Sequence, residues 1–134
     1  MGKNKFRIAL VVAALVLGVL ACSFSASTAS IDNAWMARDY DGQQPATVFA
    51  QDEVFYCVVD LANAPDDTTV KAAWSVVEAE GVEPNYPLDE TELTSGDADL
   101  HFELSNDMLW PVGKYKVDLY LNAELDQTLE FEVQ

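Results

Sequence analysis

Apolar and polar residues alternate along much of this chain, and this period of two is the feature that most constrains its fold. In an extended strand, successive side chains point to opposite faces, so alternation allows one face to be buried while the other remains exposed to solvent. The clearest case is residues 54–61, in which Phe55, Cys57, Val59 and Leu61 share one face. No helical period is convincing, so the pattern predicts antiparallel sheets with one solvated face.

Further segments show the same alternation and are separated by turn-forming residues such as 63–67. In the segment around Trp74, the tryptophan faces inward and Lys71 faces outward. Strands are predicted at 70–76, 100–104, 114–121 and 128–133, with weaker ones near 34–37, 47–49 and 86–93. Residues 31–134 therefore form a single all-β domain of about seven short strands.

Three positions give this domain a resemblance to the immunoglobulin-like sandwich. Cys57 lies inward on the second main strand, where such domains carry their first cysteine, and Trp74 lies inward on the next, where they carry a packing tryptophan. Tyr115-Lys116-Val117 resembles the tyrosine corner, with Val117 in the place of the second cysteine. The resemblance implies an antiparallel β-sandwich that is held together by burial alone.

The first residues of the chain predict a secretory signal. Lys3, Lys5 and Arg7 precede an uncharged, almost wholly apolar run at 8–21, whose fourteen residues fall short of the roughly 20 that span a bilayer as a helix. The run ends at Val19-Leu20-Ala21-Cys22, which resembles the lipobox of bacterial lipoproteins. The resemblance implies that the Cys22 thiol receives a diacylglycerol and that cleavage makes Cys22 the first residue.

This interpretation divides the chain into a signal peptide at 1–21, a lipidated cysteine with a flexible tether at 22–30, and the domain at 31–134. It places the mature protein outside the cytoplasm, anchored to a bacterial membrane through Cys22. A retained transmembrane anchor and a plain secreted protein are the alternatives, since small residues at 26–30 also suit ordinary signal cleavage. Lipidation consumes one thiol, so Cys57 is predicted to be unpaired, buried and inert.

The charge of the mature chain limits its partners. Four basic and 23 acidic side chains follow Cys22, which leaves a side-chain charge of −19. Phosphates repel such a domain, so nucleic acid is excluded as a partner, and anionic lipid headgroups repel it as well. Simple solubility, or adaptation to salt, explains the same charge.

No catalytic or cofactor-binding residues are predicted. His101, the single histidine, faces solvent by the alternation, whereas Cys57 faces the core, so the two cannot form a thiol–imidazole pair. One histidine and one buried cysteine cannot build a zinc site. Calcium stays open, because acidic pairs occur in predicted loops at 39–42, 66–67 and 97–99, although none fits the helix–loop–helix calcium pattern.

A possible recognition face is predicted on the outward side of the sheet that contains Trp74. Cross-strand charge pairs with Glu130 and Glu132 are the simpler interpretation of its lysines. The residues of this predicted lysine face are Lys71, Lys114, Lys116 and Tyr120.

Together these features predict a non-catalytic, membrane-anchored lipoprotein that binds a protein or glycan partner or serves as an accessory module. One alternative is an inhibitor of cysteine proteases, although the Asn-Pro-Thr-Thr-Gly type of loop that such sandwich inhibitors present is missing here. The other is a small subunit of an extracytoplasmic enzyme, which would need a convergent acid or histidine cluster that the sequence does not offer.

Overall fold

The computed structural model describes residues 28–134. This part of the chain forms eight strands and no helix, and hence no helix that could cross a membrane. The strands are β1 (Ser30–Ala37), β2 (Val48–Phe49), β3 (Phe55–Ala62), β4 (Thr68–Ala79), β5 (Tyr86–Ser95), β6 (Ala98–Leu104), β7 (Gly113–Leu121) and β8 (Glu124–Val133).

The strands form two sheets that pack face to face. One sheet has the order β1-β3-β6, and the other has the order β2-β8-β7-β4-β5. All pairings are antiparallel except that of β2 with β8, where Val48 lies opposite Glu132. Between β1 and β2 the chain folds back on itself through an antiparallel bridge between Ala37 and Pro45, and it then crosses to the second sheet. This is the predicted all-β, immunoglobulin-like sandwich, with eight strands rather than about seven.

The core lies between the sheets and is rich in aromatic rings. Phe55 is at its centre, with ring centroids 4.6 Å from Trp110, 4.7 Å from Phe131 and 6.4 Å from Trp74. The side chains that the alternation places inward on β3, β4 and β6 are buried, as predicted. Full burial of one such apolar side chain contributes roughly 1.5–3 kcal/mol, and Cys57 in this core is a free cysteine.

The positions that carry the immunoglobulin resemblance lie where the prediction puts them. Cys57 is a free, fully buried thiol. The Tyr115 hydroxyl donates a hydrogen bond of 2.6 Å to the Pro111 carbonyl oxygen, which is the tyrosine-corner contact.

Two boundaries differ from the prediction. Strand β1 begins at Ser30, which pairs with Ala62, and the Thr28 hydroxyl donates to the Asn63 carbonyl oxygen at 2.9 Å. The sequence predicts Asp99 in a loop, but Asp99 lies in β6 opposite Asp60, because backbone pairing with β3 continues beyond the apolar residues. The predicted signal peptide and Cys22 lie outside the described residues.

The sandwich has two distinct ends. At the proximal end, β1 begins next to the loop that follows β3, as the Thr28–Asn63 contact shows. At the distal end, β1 and β4 end, and the loops at 50–54, 79–85 and 105–112 meet: the Trp110 backbone N–H donates to the Gln51 carbonyl oxygen, and that of Glu80 donates to the Val112 carbonyl oxygen.

Candidate functional site

The predicted lysine face lies on the outer side of the five-stranded sheet, and its charges are largely paired there. Lys71 Nζ lies 4.6 Å from the centroid of the Tyr120 ring and 4.0 Å from Glu90. Lys114 and Lys116 stand opposite Glu132 and Glu130 in register. The ion pair that Lys116 forms, however, is with Asp118 on its own strand, at 3.4 Å. Exposed pairs of this kind contribute little, roughly 0–1 kcal/mol each.

A shallow groove of about 380 Å³ opens on the same face, between β5 and β7. Its floor contains Ala73 and Ser75 of the intervening strand β4, and Glu90 and Asp118 stand on its two sides in register with Ala73. Lys71 and Lys116 are thus the ion-pair partners of the two carboxylates that border the groove, at 4.0 and 3.4 Å. The Thr128 hydroxyl also donates to Asp118, at 2.6 Å.

An aromatic patch covers the outer face of the three-stranded sheet. It consists of Trp35, Tyr40, Tyr56 and His101. The Tyr40 ring stacks on the His101 ring with centroids 4.3 Å apart and planes 18° apart, and it meets Tyr56 edge-on at 6.4 Å. His101 Nδ1–H donates to the Tyr40 carbonyl oxygen at 2.7 Å. His101 faces outward while Cys57 faces the core, as the alternation predicts.

A tight turn places Tyr40 on this patch. Asp39 accepts hydrogen bonds from the backbone N–H groups of Gln43 and Gln44 at 3.0 and 2.9 Å. Gly42 is buried at a positive φ of 75°, and its carbonyl oxygen accepts a bond of 2.9 Å from the Trp35 indole. An aspartate followed by a nearby glycine is the only sequence signal of this turn, and it does not show where the turn packs.

The most exposed apolar side chains lie at the distal end. Met108 is 77% exposed and Leu109 is 62% exposed. The next residue, Trp110, is buried, and three hydrogen bonds of 2.8–3.0 Å join its backbone and indole to Gln51 and Glu53. The apolar run Met108-Leu109-Trp110 has the appearance of a core segment in the sequence. Only the structure shows that Trp110 takes the buried position and leaves the other two in water.

Several titratable side chains that the sequence singles out have local roles in the described structure. Among residues 28–134, no group of three or more histidine, cysteine, aspartate or glutamate side chains is placed to hold a metal ion. Two carboxylates of the acidic loops are occupied locally: Asp39 by the turn just described, and Asp97 by the Ala64 backbone N–H at 2.6 Å. Burial raises the pKa of the Cys57 thiol to about 12, so this thiol is protonated and unreactive at neutral pH.

Comparison with known proteins shows the fold alone. No protein-family model and no curated protein sequence matches the chain. An alkylpurine DNA glycosylase from Pseudomonas fluorescens, bound to DNA containing an abasic site analog, is 19% identical with a TM-score of 0.54, over 84% of this chain and 32% of its own. The chain therefore matches about a third of that glycosylase.

This chain aligns with most of the length of two smaller structures. An immunoglobulin-like protein from Pseudomonas aeruginosa is 14% identical with a TM-score of 0.50, over 81% of this chain and 98% of its own. The C-terminal domain of wzt is 10% identical with a TM-score of 0.53, over 81% of this chain and 75% of its own. These similarities agree with the immunoglobulin-like topology described above.

Proposed function

We propose that this chain is a non-catalytic binding module, anchored outside the cytoplasm of a bacterium by a lipid on Cys22, which engages a protein partner through its distal end. The observation that carries the proposal is the pair of exposed side chains, Met108 and Leu109, on a loop whose base is fixed by Trp110. Large apolar residues presented on a rigid loop are typical anchors of protein interfaces.

Burial of the two exposed side chains would be most favourable in an apolar pocket of a protein partner. Transfer of a methionine or leucine side chain from water into such a pocket contributes roughly 1.5–3 kcal/mol each. Because the hydrogen bonds of Trp110 already order the loop, little conformational entropy is lost on binding. Tyr86, which is 49% exposed at the start of β5, adds further apolar surface at the same end.

The position of the distal end suits display from a membrane. Thr28 lies at the opposite end, so a tether attached through Cys22 would leave the distal loops pointing away from the lipid. Strand β3 has eight residues and spans about 27 Å at ~3.4 Å per residue. The proximal loops carry Asp66, Asp67 and Asp97, which anionic headgroups would repel.

The partner surface is tested in the bacterial envelope with the full, anchored chain. We expect one partner to co-purify after cross-linking with the unchanged chain and with the Leu125→Ser variant, and to be lost with the Met108→Ser/Leu109→Ser double variant. Leu125 is the matched control because it is 57% exposed at the proximal end. Capture of the same proteins by all three chains would contradict the proposal.

The anchor is tested separately by the intact mass of the mature protein. The proposal requires a chain that begins at Cys22 and carries added acyl mass, and a Cys22→Ala variant that lacks it. A mature chain that starts elsewhere, or that starts at Cys22 without acyl mass, would refute the lipid anchor while leaving the partner surface open.

A glycan is the second candidate partner, favoured by the aromatic patch. Sugar rings stack on flat aromatic faces, and the Tyr40 side chain is 54% exposed. Affinity electrophoresis in gels that contain envelope polysaccharide is the measurement. Retardation that Tyr40→Ala abolishes and Tyr86→Ala preserves would support a glycan site, whereas equal mobility with and without polysaccharide would exclude it.

A further inference from the structure

Strand β5 forms a long, open edge of the five-stranded sheet. It has ten residues, and within residues 28–134 no strand pairs with its outer side. A bulge at Leu88 interrupts the pairing with β4, and beyond it residues 89–95 run in regular register, from Asp89 opposite Trp74 to Ser95 opposite Thr68. In such a ladder, alternate residues point their backbone N–H and C=O groups away from the sheet.

We propose that this edge is a docking site for an extended, basic segment of a partner protein, which adds a strand to the sheet. The regular part of β5 spans about 23 Å at ~3.3 Å per residue, enough to pair with a strand of ordinary length. Main-chain hydrogen bonds would supply affinity, and the alternating side chains would supply specificity. This surface is separate from the distal end, so the inference does not depend on the proposed function.

The charge of the edge decides which segment it accepts. Strand β5 carries Asp89, Glu90 and Glu92 and no basic residue. A second copy of the strand would bring acids against acids, which is destabilising in a cross-strand pair, whereas lysine or arginine at alternate positions would form favourable pairs. The acids therefore oppose self-association through this edge, and the net negative charge of the domain attracts a basic partner.

The groove on the outer face can accommodate a long basic side chain. Its floor is formed by the small side chains of Ala73 and Ser75. Glu90 borders the groove on the edge strand, and Asp118 borders it on the opposite side. Two strand spacings, about 10 Å, separate β5 from β7. An arginine or lysine on the added strand would lie over Glu90, which Lys71 contacts at 4.0 Å, and would enter the groove from its open side. Asp118 lies about 14 Å from the added strand, three strand spacings away, and already binds Lys116 and Thr128. The groove and the open edge thus favour the same ligand chemistry.

The experiment uses the full chain purified in a neutral detergent and fluorescently labelled octapeptides, with binding measured by anisotropy. The probes are an alternating lysine–threonine peptide, the same peptide N-methylated at every backbone nitrogen so that neither edge can donate, and an alternating glutamate–threonine peptide. We expect the first to bind and the third not to bind. N-methylation should weaken binding at least tenfold, because it removes the N–H groups that strand pairing needs.

Matched variants locate the site on β5. Glu90→Gln/Glu92→Gln should weaken binding of the basic peptide about three- to tenfold, while Glu130→Gln/Glu132→Gln, which makes the same charge change elsewhere on the same sheet, should not. Met108→Ser/Leu109→Ser should also leave it unchanged. Absence of binding, equal binding of the N-methylated peptide, or equal loss in both glutamine variants would overturn the proposal. Bound peptide should also slow hydrogen exchange in residues 89–95, and unchanged exchange there would equally overturn it.

Discussion

Two buried side chains, Tyr115 and Cys57, have raised pKa values. Tyr115 and Cys57 are both fully buried in the sandwich core. Burial raises the pKa of the Tyr115 hydroxyl from 10.0 to about 12, and that of the Cys57 thiol from 9.0 to about 12. A charged phenolate or thiolate has no favourable environment there, so both groups make the folded state sensitive to alkaline pH.

Substitution of Tyr115 by phenylalanine tests the tyrosine corner. The change removes the hydrogen bond to the Pro111 carbonyl oxygen, and we expect the free energy of unfolding to fall by about 1–2 kcal/mol. Urea denaturation provides the measurement. Tyr86→Phe, at an exposed position, is the control and should change stability by less than about 0.5 kcal/mol. Equal effects of the two changes would argue against a structural role for the bond.

The raised pKa values also predict how stability depends on pH. Above about pH 9 the unfolded chain loses protons from these groups while the folded chain retains them, so the unfolded state is favoured increasingly up to about pH 12. Stability is therefore present at neutral pH and falls through this window. Unfolding in urea at pH 7, 9 and 10.5 measures the fall, which should be shallower in Cys57→Ala. An identical slope in the variant would show that the thiol does not contribute.

At the scale of elements, the loop between β1 and β2 is the unit that shapes the outer surface of the small sheet. A Cβ atom at Gly42 would lie 2.7 Å from a Val58 methyl carbon and 2.8 Å from the Trp35 indole nitrogen. Only glycine therefore lets the turn approach closely enough for Tyr40 to stack on His101. The aromatic patch therefore requires the close packing of Gly42 on the sheet as well as the side chains of Trp35, Tyr40, Tyr56 and His101.

Comparison of two glycine substitutions isolates that packing. Gly42 and Gly81 have similar positive φ angles, 75° and 73°, but a Cβ atom at Gly81 would meet nothing within 4 Å. Gly81→Ala should cost about 1 kcal/mol through backbone conformation alone. Gly42→Ala should cost about 1–3 kcal/mol more because of overpacking. Thermal unfolding measures both variants, and equal losses would mean that the turn does not pack on the sheet as described.

For the molecule as a whole, the dominant property is its excess of acid. Residues 28–134 contain 23 acidic side chains and four basic ones. The ion pairs of the described residues involve only Arg38, Lys71 and Lys116, so most carboxylates have no nearby cation. Mutual repulsion should therefore oppose the compact state at low ionic strength.

Salt should consequently stabilise the protein. At 1 M ionic strength the screening length falls to about 3 Å, against about 30 Å at 0.01 M. If screening recovers about 1 kcal/mol, the unfolding midpoint of a domain of this size should rise by about 4–8 °C. A calorimetric scan in 0.01 M and 1 M sodium chloride measures the change. An unchanged or lower midpoint at high salt would show that repulsion is not a significant cost.

Much of the interior could be predicted from the sequence, because the direction of a side chain in a strand is a local property. Alternation alone placed Phe55, Cys57 and Trp74 in the core and His101 outside it. Pairing is not local, and here the prediction failed: Asp99 joins a strand because β3 supplies a partner, and Ser30 extends β1 for the same reason.

The candidate surfaces were decided by the tertiary structure. The side chains of the predicted lysine face lie on the outer side of the larger sheet, but their ion pairs with Glu90 and Asp118, and the groove that these two carboxylates border, depend on neighbouring strands. Likewise, the exposure of Met108 and the open edge of β5 depend on which other parts of the chain come near them. The sequence by itself determined what each strand buries, since that follows from strand geometry; only the folded arrangement of distant segments decided what remains available to a partner.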